Sequence, residues 1–128
     1  MEQEMSRRSQ FVRRFPRLGT RGFPALEFGR GWDELVMELL QGIDRVLSDP
    51  EAASFEVLQA KEKWGILRVY WTARRPYARS DLAGRIDPLM LQARQKSELT
   101  CMSCGAPGIL RTGYWVHVSC EPCEIKHR

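Results

Sequence analysis

Cys101-Met102-Ser103-Cys104 and, fifteen residues later, Cys120-Glu121-Pro122-Cys123 contain all four cysteines of the 128-residue chain. Two Cys-x-x-Cys pairs at this separation read as a tetrahedral metal site, and zinc is the metal such donors suit. The reason is geometric. Two residues between thiolates let one tight turn aim both sulfurs at a single ion, and a second turn, carried alongside by a hairpin, completes the shell. Gly105 follows Cys104 where a positive φ can turn the chain beneath the metal, and Pro107-Gly108 continues the turn. The expected ligands are Cys101, Cys104, Cys120 and Cys123.

Other uses of the cysteines fit less well. Two disulfides would need an oxidising compartment. No apolar segment follows Met1, so no secretory leader is expected and the cytoplasm is the expected location. A redox pair of this spacing usually opens a helix in a βαβ unit, whereas Cys101 leads into turn residues. His117, three residues before Cys120, could replace one cysteine. A complete set of four sulfurs needs no further donor, so His117 is expected beside the site and His127 in solvent. Four thiolates leave no open position for water, which makes the expected Zn²⁺ structural.

Length allows one domain, or one domain carrying a small metal-stapled lobe. The composition, 43% hydrophobic and 28% charged, is that of an ordinary globular protein. Net charge is +4. Residues 1–30 hold seven arginines against Glu2, Glu4 and Glu27, so 7 − 3 accounts for all of it. The basic character therefore belongs to the N-terminal stretch, which we treat as an Arg-rich arm (1–30) before a core (31–99) and a ribbon (100–128).

In that arm Phe11, Phe15, Phe23 and Phe28 are interleaved with the arginines, and Pro16, Gly19, Gly22 and Pro24 break any long helix. The pattern could grip phosphates and stack on bases. The reading preferred here packs the aromatics on the core and leaves the arginines solvated. From Gly31, Trp32, Leu35, Val36, Leu39, Leu40, Ile43, Val46 and Leu47 recur at helical spacing, and Asp49-Pro50 ends the run. Residues 55–61 and 66–72 alternate as a β-hairpin joined by Lys61-Glu62-Lys63-Trp64-Gly65. In its first arm Phe55, Val57 and Gln59 alternate with Glu56, Leu58 and Ala60. A basic loop, Arg74, Arg75, Pro76, Tyr77 and Arg79, follows. Ser80-Asp81 offers a helix cap, but Pro88 divides the pattern into a short turn to 86 and a helix over 88–98. Ile109–Arg111 and Tyr114–Val116 read as short strands around Thr112-Gly113. The whole is α+β: a helix–β-hairpin–helix core with a C-terminal zinc ribbon.

The run Gln59-Ala60-Lys61-Glu62-Lys63-Trp64-Gly65-Ile66-Leu67-Arg68-Val69-Tyr70 resembles a signature of small phage and prophage proteins. Gly31-Trp32 with Leu35, Cys101 to Gly105 with Pro107-Gly108, and Cys120 with Cys123 match that pattern in the same order. The resemblance covers about residues 29–128 and departs mildly at Ala60, Trp64 and Val69. It implies a mobile-element setting and an architecture, and no catalytic residues.

Three functional classes follow. A protein binder, of host-defence-inhibitor or toxin-immunity type, would use the hairpin tip Lys61, Glu62, Lys63 and Trp64, with Arg74, Arg75 and Arg79 nearby; an aromatic ringed by charges is the composition of an interface hot spot. A nucleic-acid regulator would use the ribbon and the arm, although Arg111 is the only cation in the ribbon's strands. An enzyme is not expected. A zinc deaminase needs Pro-Cys-x-x-Cys after His-x-Glu or Cys-x-Glu, and no His-x-Glu exists here. Carboxylates such as Glu56 and Glu62 are expected to point outward from the hairpin, so they form no convergent site. No small-molecule substrate and no membrane partner are expected.

Overall fold

A computed structural model describes residues 2–19 and 23–126, with side chains from Arg7 onward. The order is α1 (Glu2–Arg14), β1 (Leu26–Glu27), a 3-10 turn at Arg30–Trp32, α2 (Asp33–Val46), α3 (Asp49–Ser54), β2 (Phe55–Lys63), β3 (Ile66–Ala73), α4 (Arg79–Ser97), β4 (Ile109–Arg111), β5 (His117–Ser119) and α5 (Glu121–Lys126). One three-stranded sheet runs β1-β2-β3, with β1 parallel and β3 antiparallel to β2; β4 and β5 form a second, antiparallel pair. The fold is α+β, with a helix–hairpin–helix core and a C-terminal four-cysteine ribbon. Among the described residues no helix is long and apolar enough to cross a membrane.

Helix α2 is the spine. Leu35, Val36, Leu39, Leu40 and Ile43 are buried along it, and Trp32 is fully buried at its start. Val46, expected on the same face, is exposed, because the helix ends there and Leu47 turns extended and inward. Asp49-Pro50 does not simply end a helix. It begins α3: Ser48 accepts from Glu51 N–H and the Glu51 carboxylate accepts from Ser48 N–H, a reciprocal cap with proline in the first turn.

The 1–30 stretch is half helix. Helix α1 precedes the glycines and prolines, and Phe11, Phe15, Phe23 and Phe28 join the same buried cluster as α2. The aromatics pack as expected, but Arg7 and Arg8 are half-buried, and Arg17, though exposed, is tied down by ion pairs. Arg7 donates to both carboxylate oxygens of Asp33 (2.7 and 3.1 Å) and to Phe28 O. Arg8 donates to Phe23 O. Arg17 bridges Asp44 and Asp49 and donates to Leu47 O.

The hairpin is longer than its sequence suggests. Lys61, Glu62 and Lys63 belong to β2, and the connection is Trp64-Gly65 alone. Both residues have positive φ, 57° and 77°, the backbone of a type I′ turn. The pairing also slips between Val57 and Gln59, so Leu58 is a bulge and is 53% exposed. Beyond it the inward phase moves from Phe55 and Val57 to Ala60, which is fully buried, instead of Gln59.

Pro88 does not divide α4, which runs unbroken from Arg79 with Leu82, Ile86, Ala93 and Ser97 buried. Its cap lies earlier than Ser80: the Asp81 carboxylate accepts from Ala78 N–H at 2.8 Å. Proline is held mid-helix because tertiary contacts on both flanks outweigh one lost backbone bond. One such contact is Arg85, which donates to both Glu51 oxygens (2.9 and 2.7 Å) and to Val46 O, tying α4 to α3.

Arg85 and the Ser48 N–H hold the Glu51 carboxyl at about 2, below its ordinary 4.5. A depressed folded pKa means the contribution is complete above 4.5 and fades as pH falls toward 2. Unfolding free energies measured by urea titration across that window should therefore fall more steeply for the wild type than for Glu51→Gln. Parallel slopes would show that the pair does not contribute.

Candidate metal centre

Each cysteine pair is positioned by its own turn. In the first, Gly105 N–H donates to Cys101 O (3.0 Å) and Cys101 N–H to Ala106 O (2.7 Å), with Gly105 at φ +85° as expected. The second begins where β5 ends, and Cys120 leads directly into α5, whose Glu124 N–H donates to Cys120 O. Strand β5 spans 117–119, not 114–116. The pairing Arg111↔His117 lengthens the connection to five residues, leaving Tyr114 fully exposed and Trp115 about half exposed.

The four sulfurs converge: Cys101, Cys104, Cys120 and Cys123 all lie within 4.8 Å of one another, with 3.6 Å between Cys104 and Cys120. A tetrahedral ion with metal–sulfur bonds of about 2.3 Å would set its ligands about 3.8 Å apart, so a small contraction completes the shell. Acid–base chemistry also favours a cation there. Burial pushes the Cys101 thiol up, but backbone N–H groups of Cys120, Cys104 and Ser103 outweigh it and hold the thiol at about 6. The sulfurs of Cys120 and Cys104 push the Cys123 thiol up to about 12. One thiolate is thus supported by the protein alone; four so close together require a positive centre.

His117 is buried beside the cluster without joining it. Its Nε2 lies 2.7 Å from Glu124 Oε1, its Nδ1 lies 3.0 Å from Trp115 O, and the Trp115 ring stacks on it at 3.7 Å. Ser119 Oγ donates to the same Glu124 oxygen, so the second turn is braced by side chains from β5 and α5. His127 lies outside the described residues.

Sequence reading missed what the ribbon rests on. Gly31 N–H donates to Met102 O (2.9 Å) and Trp32 Nε1 donates to Thr100 O (2.9 Å). A Cβ on Gly31 would lie 2.1 Å from Cys101 O, and one on Gly29 2.2 Å from Met102 O. Gly29-Arg30-Gly31 is therefore a shelf on which the backbone of the first cysteine turn lies flat. Two glycines spaced by one residue directly before a buried tryptophan were the available signal. A second support comes from the hairpin tip: Gly65 is buried against Leu110 and Val118.

The residues expected to form one partner surface are split. Lys61, Glu62, Lys63 and Trp64 are at or beside the tip, while Arg74, Arg75 and Arg79 follow the other end of β3, seven strand steps or about 23 Å away. The Arg74 side chain faces Glu56 (3.7 Å) and donates to Ala53 O, and Arg79 covers Trp71. Glu62 is engaged within the tip, accepting from Gly65 N–H at 2.8 Å. Trp64 is 63% exposed.

No family model, curated protein or solved structure matches this chain.

Proposed function

We propose that this is a non-enzymatic zinc protein in which the ion is structural and the work is done by binding another protein through the turn at Trp64. Four sulfur donors fill a tetrahedral shell and leave no coordination position for a substrate or an activated water. Tetrahedral thiolate donors suit zinc among the common divalent ions.

The observation that carries the binding role is Trp64 itself. A left-handed φ of 57° costs a non-glycine residue about 1 kcal/mol, and Asn or Gly is the usual occupant of this turn position. Burial does not offset the cost, since most of the side chain faces solvent. A locally unfavourable aromatic kept in water is explained by a partner that covers it. Leu110, on which Gly65 rests, is 49% exposed and extends the same surface onto the ribbon. Lys61 and Lys63 supply the charged rim. The similarity to prophage proteins supports a mobile-element origin, in which the partner is a host-defence protein or a toxin. The nucleic-acid reading has less support, because Arg7 and Arg8 are used inside the fold, Arg17 is paired with Asp44 and Asp49 at the surface, and Arg111 pairs with Glu121.

Trp64→Asn separates a binding role from a folding role. The variant should gain about 1 kcal/mol in stability from relief of the turn. Used as bait in a bacterial lysate beside the wild type, it should lose a protein that the wild type retains in stoichiometric amount. Identical captures from both baits, or a variant that unfolds more readily, would defeat the assignment.

A further inference from the structure

We propose that the groove between β3 and α4 is a binding site for a small organic anion, a carboxylate or phosphate carried on an apolar ring. The site is separate from Trp64 and from the cysteines, so it does not depend on the function proposed above.

Strand β3 is an edge of the sheet, and α4 packs against it, with a polar contact towards each end. At one end the Arg79 guanidinium covers the Trp71 ring at 4.4 Å. At the other, Ser97 Oγ accepts from Leu67 N–H at 3.1 Å. Beside these contacts, residues of helix and strand line a cavity of about 320 Å³. Its apolar wall is Val69, Met90 and Leu91. Alternation along an antiparallel strand turns Val69 N–H the same way as Leu67 N–H, away from β2 and toward α4.

The charged lining is one-sided. Arg68, Arg79 and Arg94 face a single carboxylate, Asp87, so the site carries 3 − 1 = +2. Asp87 is engaged by Arg79 at 3.4 Å. Among the described residues neither Arg68 nor Arg94 has an ion-pair partner, and Arg68 Nε is buried with no acceptor. Arg68 and Arg94 line the cavity with no carboxylate of their own, and an incoming oxyanion would supply the partner they lack. The guanidinium fork matches the oxygens of carboxylate and phosphate. The volume is at the lower end of small-molecule sites, enough for one ring with its acid group.

The test uses the full metal-loaded chain and three probes: phenyl phosphate, inorganic phosphate and phenol, with benzoate as a parallel arm. Amide NMR shifts are followed on titration. Phenyl phosphate should move the amides of residues 67–70, 87 and 89–94 along a saturating curve. Inorganic phosphate and phenol, each carrying half of the chemistry, should bind the same residues at least about tenfold more weakly, the effect of losing one charged hydrogen bond or one buried ring face. Arg68→Gln should weaken phenyl phosphate by a similar factor, with the signals of Trp64 and the ribbon unchanged. Arg94→Gln, at an exposed helix position, repeats the test if the first variant folds poorly. Benzoate binding at the same residues would extend the site to carboxylates, and its failure would restrict it to phosphates. The proposal is overturned by no saturation up to about 10 mM, by shifts spread over arginines elsewhere, by equal affinity for inorganic and phenyl phosphate, or by an unchanged affinity in the variants.

Discussion

Treating the protein with a strong chelator is expected to unfold residues 99–126 while leaving the buried cluster around α2 intact. Zinc binding to a four-thiolate site contributes on the order of 10 kcal/mol, and in small sites that energy is the folding energy of the segment. The regular structure within the ribbon is slight: β4 and β5 share three residue pairs, and α5 has no buried residue. Without the ion the sulfurs that push Cys123 up to about 12 would repel one another as they ionise. The measurement is amide exchange with and without chelator, and protection should vanish from the ribbon and weaken at Lys63–Ile66, where the hairpin tip loses Leu110 and Val118. Cys104→Ser should reproduce the effect without chelator. Undiminished protection in both experiments would contradict a metal-dependent ribbon.

The second large effect concerns Gly31. Replacing it with alanine puts a methyl 2.1 Å from Cys101 O and 2.7 Å from both Met102 C and Gly105 N, all of them backbone atoms. No rotamer change can relieve such contacts. The first cysteine turn must lift away, losing the bonds from Gly31 N–H to Met102 O and from Trp32 Nε1 to Thr100 O. A stability loss of about 3 kcal/mol is expected. Metal affinity should fall about 10- to 100-fold, as when outer supports of a site are removed. Gly84→Ala is the control. Nothing lies within 4 Å of a Cβ there, so this helical position should gain up to about 1 kcal/mol. Thermal melts and competition with a chromogenic chelator would show the contrast, and equal behaviour of the two variants would remove the shelf from the account.

What the sequence discloses is what repeats or pairs. The cysteine spacing, the stripe from Trp32 to Leu47 and the alternation after Ile66 each follow a fixed period, and each led to the right element. The errors came where a period breaks or a contact is remote. Leu58 is one extra residue, and nothing local marks the change of phase that it causes. Pro88 reads as a helix break because the ties between α4 and α3 lie over thirty residues away along the chain. The Ser48–Glu51 cap, by contrast, is legible from the Ser-x-x-Glu spacing alone. Arg74 to Arg79 read as neighbours of Trp64 only because sequence proximity says nothing about which end of a strand a loop leaves.

The glycine shelf bears on how the molecule can be divided. A chain cut after Leu99 would present bare peptide groups at Gly29–Trp32 to water and strip the indole of its acceptor; the excised tail would keep its sulfurs but lose the floor beneath them. Neither half would be a faithful miniature of its region in the intact molecule.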